Sequence, residues 1–141
     1  MTFFTALNEE FILRGYILSN LQNHFNPHAC VIVLSIVFGL WHMQYGWVYV
    51  GMAFFLGVLM GYAYLFTQNI YFPLGLHFGW NLSEYILYSP YVSRIKVHNI
   101  FLVGARNITP EQEGFLSFVS IIVILLLLWV WYKKIKIKSH L

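Results

Sequence analysis

Long apolar runs separated by short polar breaks dominate the pattern of the chain. A helix that crosses a hydrocarbon core of about 30 Å needs about 20 residues, because each residue of an α-helix rises about 1.5 Å. The pattern therefore predicts an all-α fold, a multi-pass transmembrane helix bundle of about five spans within a single domain over residues 1–141. The predicted spans are residues 3–21, 29–45, 47–67, 70–88 and 114–132.

The composition favours lipid as the solvent for much of the chain. Of the 141 residues, 60% are hydrophobic and 9% are charged, whereas soluble domains carry about 25% charged residues. The net charge of +3 does not indicate nucleic-acid binding, because half of the basic residues directly follow the last apolar run. We expect these lysines to meet anionic headgroups, with membrane lipids as partners: Lys133, Lys134, Lys136 and Lys138.

Glycine spacing and turn residues predict how the helices connect and pack. The pairs Gly57/Gly61 and Gly75/Gly79 have the four-residue spacing that lets neighbouring helices approach closely. Short breaks at residues 22–28 and 67–69 predict turns between antiparallel neighbours. After a longer connection at residues 89–113, a helix start is predicted with Thr109 as N-cap and Pro110 in the first helical position.

The first run carries charges that hydrocarbon disfavours, since each charge at the centre of a membrane helix costs about 2.5–3.5 kcal/mol. Glu10 and Arg14 are four residues apart and can pair on one helix face. Glu9 points about 100° away from Glu10 and has no such partner on its own helix. Glu9 is therefore a candidate proton acceptor inside the bundle. The alternative places Glu9 and Glu10 at the headgroup level.

Two later runs add polar groups of their own. The second run ends at His42, and the fourth carries His77, Asn81 and Glu84 at positions i, i+4 and i+7, which form one polar stripe. Such a stripe must face protein or water, because lipid cannot satisfy it. Structural hydrogen bonding between helices would explain polar residues on one helix. It is a poor explanation for polar residues on three helices of the same chain. A shared polar pocket is expected.

Three motifs in this order resemble the signatures of the CPBP family, which covers CAAX prenyl endopeptidases and bacterial Abi-type bacteriocin-processing or immunity proteins. They are Glu9-Glu10-x-x-x-Arg14, Phe38-x-x-x-His42 and His77-x-x-x-Asn81, and the resemblance covers about residues 3–88. It implies an integral protein of the bacterial cell membrane. Family members usually have further helices before the Glu-Glu motif, and we expect this chain to lack them.

The resemblance implies an intramembrane endopeptidase whose substrate is a membrane-associated peptide or lipidated protein, of CAAX type or bacteriocin-leader type. It implies that Glu9 is the general base and that His42 orients the water. His77 and Asn81 would donate hydrogen bonds to the oxyanion, while Glu10 and Arg14 would hold Glu9 in place.

Two alternatives remain open at the level of sequence. No cofactor is favoured, but Glu9, His42 and His77 could instead hold a zinc ion with an open water position. The rival function is a non-catalytic membrane protein of the same fold, acting in bacteriocin immunity or regulation.

Overall fold

A computed structural model describes the backbone of residues 2–88 and 110–138 and the side chains of residues 3–85 and 118–134. Five helices make up the described chain, with a 3₁₀-helical turn at Met43–Tyr45 and no strand, which confirms the all-α class. We label them α1 (residues 2–21), α2 (Pro27–Trp41), α3 (Trp47–Thr67), α4 (Tyr71–Tyr88) and α5 (Pro110–Lys138).

Helix α1 changes its winding beside its charged residues. It is α-helical over Thr2–Glu10, π-helical over Phe11–Leu18 and α-helical again over Ser19–Leu21. The π-helix has wider turns than the α-helix, is rare, and occurs frequently at functional sites. The wide segment begins directly after Glu10 and contains Arg14, so it sets the direction in which that guanidinium leaves the helix.

Local signals set the other helix ends. Asn26 caps α2 by accepting hydrogen bonds from the backbone N–H groups of His28 and Ala29, with Pro27 in the first turn. Helix α2 ends at Trp41, so the prediction that it continues to residue 45 is wrong. Gly46 makes the sharp turn into α3 with a φ of 98°, a backbone conformation that residues with side chains rarely adopt. Helix α5 begins at Pro110 as predicted, whereas Thr109 lies outside the described residues.

Helix α3 is the centre of the fold and contacts all four other helices. It packs most closely on α2, because a Cβ atom on Gly57 would lie 3.1 Å from Ser35 and one on Gly61 would lie 2.7 Å from Val31. The close-packing role predicted for this glycine pair is confirmed. For Gly75 and Gly79 the same role stays a prediction, since an added Cβ would meet no atom of the described chain within 4 Å.

The antiparallel packing brings four helix segments to one end of the bundle. Along α2 and α3, Gly39 lies near Val50 while Val31 lies near Gly61, so the two helices run in opposite directions. Helices α1 and α4 are also antiparallel, since Phe3 packs on Phe78 whereas Gly15 lies against Ile70, just before α4. The end that results contains the start of α1, the end of α2, the start of α3 and the second half of α4.

One helix of the described chain, Trp47–Thr67, is long and apolar enough to cross a membrane, with a mean hydropathy of 1.8. Pro27–Trp41 is apolar but has only 15 residues. The number of spans derived from the apolar runs therefore stays a prediction.

Candidate functional site

A buried ion pair joins the first motif to the centre of the fold. Arg14 Nη1 lies 2.9 Å from Glu10 Oε1, and the two side chains are 2% and 0% exposed. Arg14 Nη2 also donates a hydrogen bond of 2.8 Å to the carbonyl oxygen of Gly57 on α3. The pairing predicted from the four-residue spacing is confirmed. Because Gly57 has no side chain, its backbone can approach α2 closely while its carbonyl accepts from Arg14.

His77 on α4 bridges the two adjacent glutamates of α1. Its Nδ1 atom lies 2.7 Å from Glu10 Oε1, and its Nε2 atom lies 3.5 Å from Glu9 Oε2. Neighbouring residues on a helix point in different directions, yet the two carboxylates reach opposite edges of one imidazole. The first and third motifs therefore meet in a single polar centre.

His42 lies at the C-terminal end of α2 and is held there by its own helix. Its Nδ1 atom lies 2.9 Å from the carbonyl oxygen of Phe38. A carbonyl oxygen can only accept, so Nδ1 carries the proton and Nε2 of the neutral ring is left as an acceptor. Glu9 is within electrostatic reach of both His42 and His77.

Phe38 is the apolar centre around which the polar groups are arranged. Its ring centroid lies 4.7 Å from that of His42 and 5.9 Å from that of His77. The guanidinium carbon of Arg14 lies 5.4 Å from the same ring. Sequence reasoning gave Phe38 no role. Its position four residues before His42, on the same helix face, was the signal that could have indicated one.

Two cavities meet at Phe38. The first, of about 240 Å³, is lined by Phe38, His42, Tyr45, Tyr49, Met52, Ala53, Leu56, His77, Trp80, Asn81 and Glu84. The second, of about 250 Å³, is lined by Thr5, Asn8, Glu9, Ile12, Leu13, Phe38 and Trp41. We call them the histidine cavity and the glutamate cavity.

The structure thus brings the predicted site residues together in two groups. His42, His77 and Asn81 share the histidine cavity, whereas Glu9 lines the glutamate cavity on the other side of Phe38. The contact between Glu9 and His77 connects the two. Sequence reasoning did not find the aromatic residues of the histidine cavity, Tyr45, Tyr49 and Trp80, because they come from separate helices and a turn.

The zinc alternative finds no complete set of ligands in place among the described residues. Among the residues that the structure describes, no group of three or more His, Cys, Asp or Glu side chains is placed to hold a metal ion. The two ring nitrogens of His77 face carboxylate oxygens, whereas Nε2 of His42 is left open by the hydrogen bond of Nδ1 to a backbone carbonyl. Zinc binding by Glu9, His42 and His77 therefore stays a prediction.

Comparisons with known proteins agree with the three motifs. A search of curated proteins and a search of solved structures each found no match. A family model described as type II CAAX prenyl endopeptidase Rce1-like matches residues 1–83 of the 141. The matched part is more than half of the chain and contains every motif residue from Glu9 to Asn81. The chain therefore belongs to the type II CAAX prenyl endopeptidase Rce1-like family of integral membrane proteins, which confirms the resemblance seen in its motifs.

Proposed function

We propose that this chain is an intramembrane endopeptidase that hydrolyses a membrane-associated peptide or lipidated protein with a glutamate-activated water and no metal. The observation that carries the proposal is the 3.5 Å approach of Glu9 Oε2 to His77 Nε2. It joins the first and third motifs in a centre that opens on two cavities.

Glu9 is the general base. Its Oε2 atom is buried and has no hydrogen-bond partner among the described atoms, so an acceptor is available for a water proton. The side chain as a whole is 24% exposed and lines the glutamate cavity. Glu10 is fully buried and uses Oε1 to bind both Arg14 and His77. The two neighbouring carboxylates therefore have different roles: Glu9 takes the proton, and Glu10 holds Arg14 and His77 in position.

His77 and Asn81 stabilise the oxyanion. Two carboxylates and one guanidinium leave a net negative charge in the cluster, which an imidazolium at His77 balances. That imidazolium donates through Nδ1 to Glu10, and its second N–H, at Nε2, faces Glu9 and can turn to the oxyanion once Glu9 has taken the water proton. Asn81 lies one helical turn further along α4 and lines the same cavity as His77. Two donors beside one carbonyl oxygen are the arrangement that lowers the barrier for acyl transfer.

His42 orients the attacking water. With Nδ1 protonated, its Nε2 accepts one water hydrogen while Glu9 takes the other. The water oxygen then bonds to the scissile carbonyl carbon, and the proton passes from water to Glu9. When the C–N bond breaks, the same proton passes from Glu9 to the leaving nitrogen, which restores the carboxylate.

The two cavities serve the two reactants. The histidine cavity takes the peptide, because the oxyanion donors line it, and the glutamate cavity supplies water to the base. Among the described residues Phe38 alone lines both, so its ring limits where water and peptide meet. A confined meeting point favours reaction of the bound peptide over random hydration of the site.

Several helices, rather than one, cross the bilayer. The outward faces of α2 and α5 are apolar for several turns, a surface of a kind that soluble proteins rarely expose. On α2 the exposed residues are Ile32, Val33, Ile36, Val37 and Leu40. On α5 they include Ile122, Val123, Leu126, Leu127 and Val130.

The test is cleavage of a lipid-anchored reporter peptide by the purified chain in liposomes. Glu9→Gln and His42→Ala are each expected to lower the cleavage rate about 10²- to 10⁴-fold, the usual contribution of a positioned acid or base. Asn23→Ala, at an exposed position after α1, is the control and should cleave normally. If both site variants fold and cleave at the full rate, the roles given to Glu9 and His42 are wrong. If the folded wild-type chain cleaves no reporter, the non-catalytic immunity or regulatory function replaces this one. A chelator should leave the rate unchanged.

A further inference from the structure

We propose that the histidine cavity contains a subsite for a cationic side chain, lysine or arginine, next to the scissile bond of the substrate. The subsite consists of Tyr45, Tyr49, Trp80 and Glu84, which we call the aromatic–acidic wall. The proposal rests on the function proposed above and names a feature of its substrate.

The wall places three aromatic rings and one carboxylate on the lining of one cavity. Trp80 Nε1 donates a hydrogen bond of 2.9 Å to Glu84 Oε1, one turn apart on α4, so the carboxylate is held beside the indole. Tyr45 and Tyr49 lie at the turn into α3 and at its start, with ring centroids 5.7 Å apart. All four side chains line the same cavity as His77 and Asn81.

The chemistry of the wall is complementary to a cation. Ammonium and guanidinium groups bind over the faces of tryptophan and tyrosine rings, and a carboxylate adds charge-assisted hydrogen bonds. Glu84 has the only carboxylate among the described residues that line the cavity, and none of those residues is lysine or arginine. A purely apolar substrate side chain in this place would cover Glu84 without adding a charge or a hydrogen bond to it.

Size places the cation close to the reaction. A cavity of about 240 Å³ holds little more than one long side chain. Because the oxyanion donors line the same space, the residue bound by the wall must be next to, or one position removed from, the scissile bond. The long stem of a lysine or arginine could lie along Met52 and Leu56 while its charged end reaches Glu84.

The test is a positional scan of a cleaved reporter peptide with the full chain in liposomes. Lysine or norleucine is placed at each position from three residues before to three residues after the scissile bond. Norleucine has the same carbon chain without the ammonium group. At one position, the lysine peptide should be cleaved about tenfold more efficiently in kcat/KM than the norleucine peptide. In Glu84→Gln this ratio should fall to near one.

Two variants separate recognition from structure. Tyr49→Leu should reduce the lysine preference, whereas Tyr71→Leu, at a tyrosine that is exposed and does not line the cavity, should leave both rates unchanged. If Glu84 only holds Trp80 in place, Glu84→Gln should slow cleavage of both peptides equally, and the ratio of their kcat/KM values should not change. That result, or a wild-type chain without preference at any position, overturns the subsite and leaves the proposed function standing.

If the folded wild-type chain cleaves no peptide, the proposed function is refuted. Peptide binding then tests whether the subsite exists. Fluorescence anisotropy of labelled peptides would then be measured with the wild-type chain and with Glu84→Gln. Tighter binding of the lysine peptide, lost in Glu84→Gln, supports the subsite. Equal binding of the two peptides overturns it.

Discussion

His77 and Glu10, 67 positions apart in the chain, are joined by 2.7 Å between Nδ1 and Oε1. Glu10 Oε1 also accepts a hydrogen bond from Arg14 Nη1, and Arg14 Nη2 donates a hydrogen bond to the carbonyl oxygen of Gly57. This series of contacts ties α1, α3 and α4 together through buried polar groups. In a bundle whose other contacts are mostly apolar, it fixes both the rotation of each helix and the place of the candidate base beside it.

Arg14→Met should destabilise the fold. The substitution keeps much of the side chain's volume but removes the guanidinium that pairs with the fully buried carboxylate of Glu10. Removing one partner of a buried ion pair costs about 3–5 kcal/mol. Unfolding in mixed micelles by a titrated denaturing detergent measures the change. The double variant Glu10→Gln/Arg14→Met should recover part of the loss. A single variant as stable as wild type would show that the pair is not formed.

Glu9→Gln should mainly reduce the cleavage rate and Glu10→Gln should mainly reduce stability, although the two residues are adjacent. Glu9→Gln is expected to lower the cleavage rate about 10²- to 10⁴-fold with a smaller change in stability, because Glu9 loses only its 3.5 Å contact with Nε2 of His77. Glu10→Gln is expected to lower stability by about 1.5–3 kcal/mol, since it weakens charged hydrogen bonds to both Arg14 and His77. Denaturation curves and cleavage rates measured on the same samples separate the two roles. Equal profiles for the two variants would contradict the division of work.

Glycine-to-alanine changes should distinguish the two glycine pairs. At Gly61 an added Cβ would lie 2.7 Å from Val31, and such overpacking costs about 1–3 kcal/mol. At Gly75 nothing in the described chain lies within 4 Å, so Gly75→Ala should gain about 0.5–1 kcal/mol from helix propensity. Thermal unfolding followed by circular dichroism compares the two. The packing of α2 on α3 described here would be contradicted if Gly61→Ala were as stable as Gly75→Ala.

The sequence predicted what depends on local spacing. Apolar runs gave the helices, and the four-residue separation of Glu10 and Arg14 gave their ion pair. The contacts of His77 with both glutamates depend on how α1 and α4 are rotated against each other, which the sequence of neither helix specifies. The π-helical winding after Glu10 likewise has no signal in the apolar pattern. Gly75 and Gly79 have the spacing for close packing but face away from the described neighbours.

Phe38→Leu should reduce cleavage more than stability. Phe38 is 1% exposed and contacts His42, His77 and Arg14 through its ring. Leucine keeps an apolar filler at about 1–2 kcal/mol of lost stability, less than the 3–5 kcal/mol expected for alanine. It removes the ring contacts that orient the two histidines and opens the boundary between the cavities.

We expect about a tenfold loss of kcat in Phe38→Leu, with a smaller change in KM, because a misplaced catalytic group costs rate rather than binding. Phe25→Leu is the matched control, since Phe25 is 64% exposed in the turn before α2 and should change neither parameter. Cleavage kinetics and thermal unfolding are measured on both variants. If Phe38→Leu retains full kcat while losing stability, the ring is only a core filler, and the separation of water from peptide must lie elsewhere.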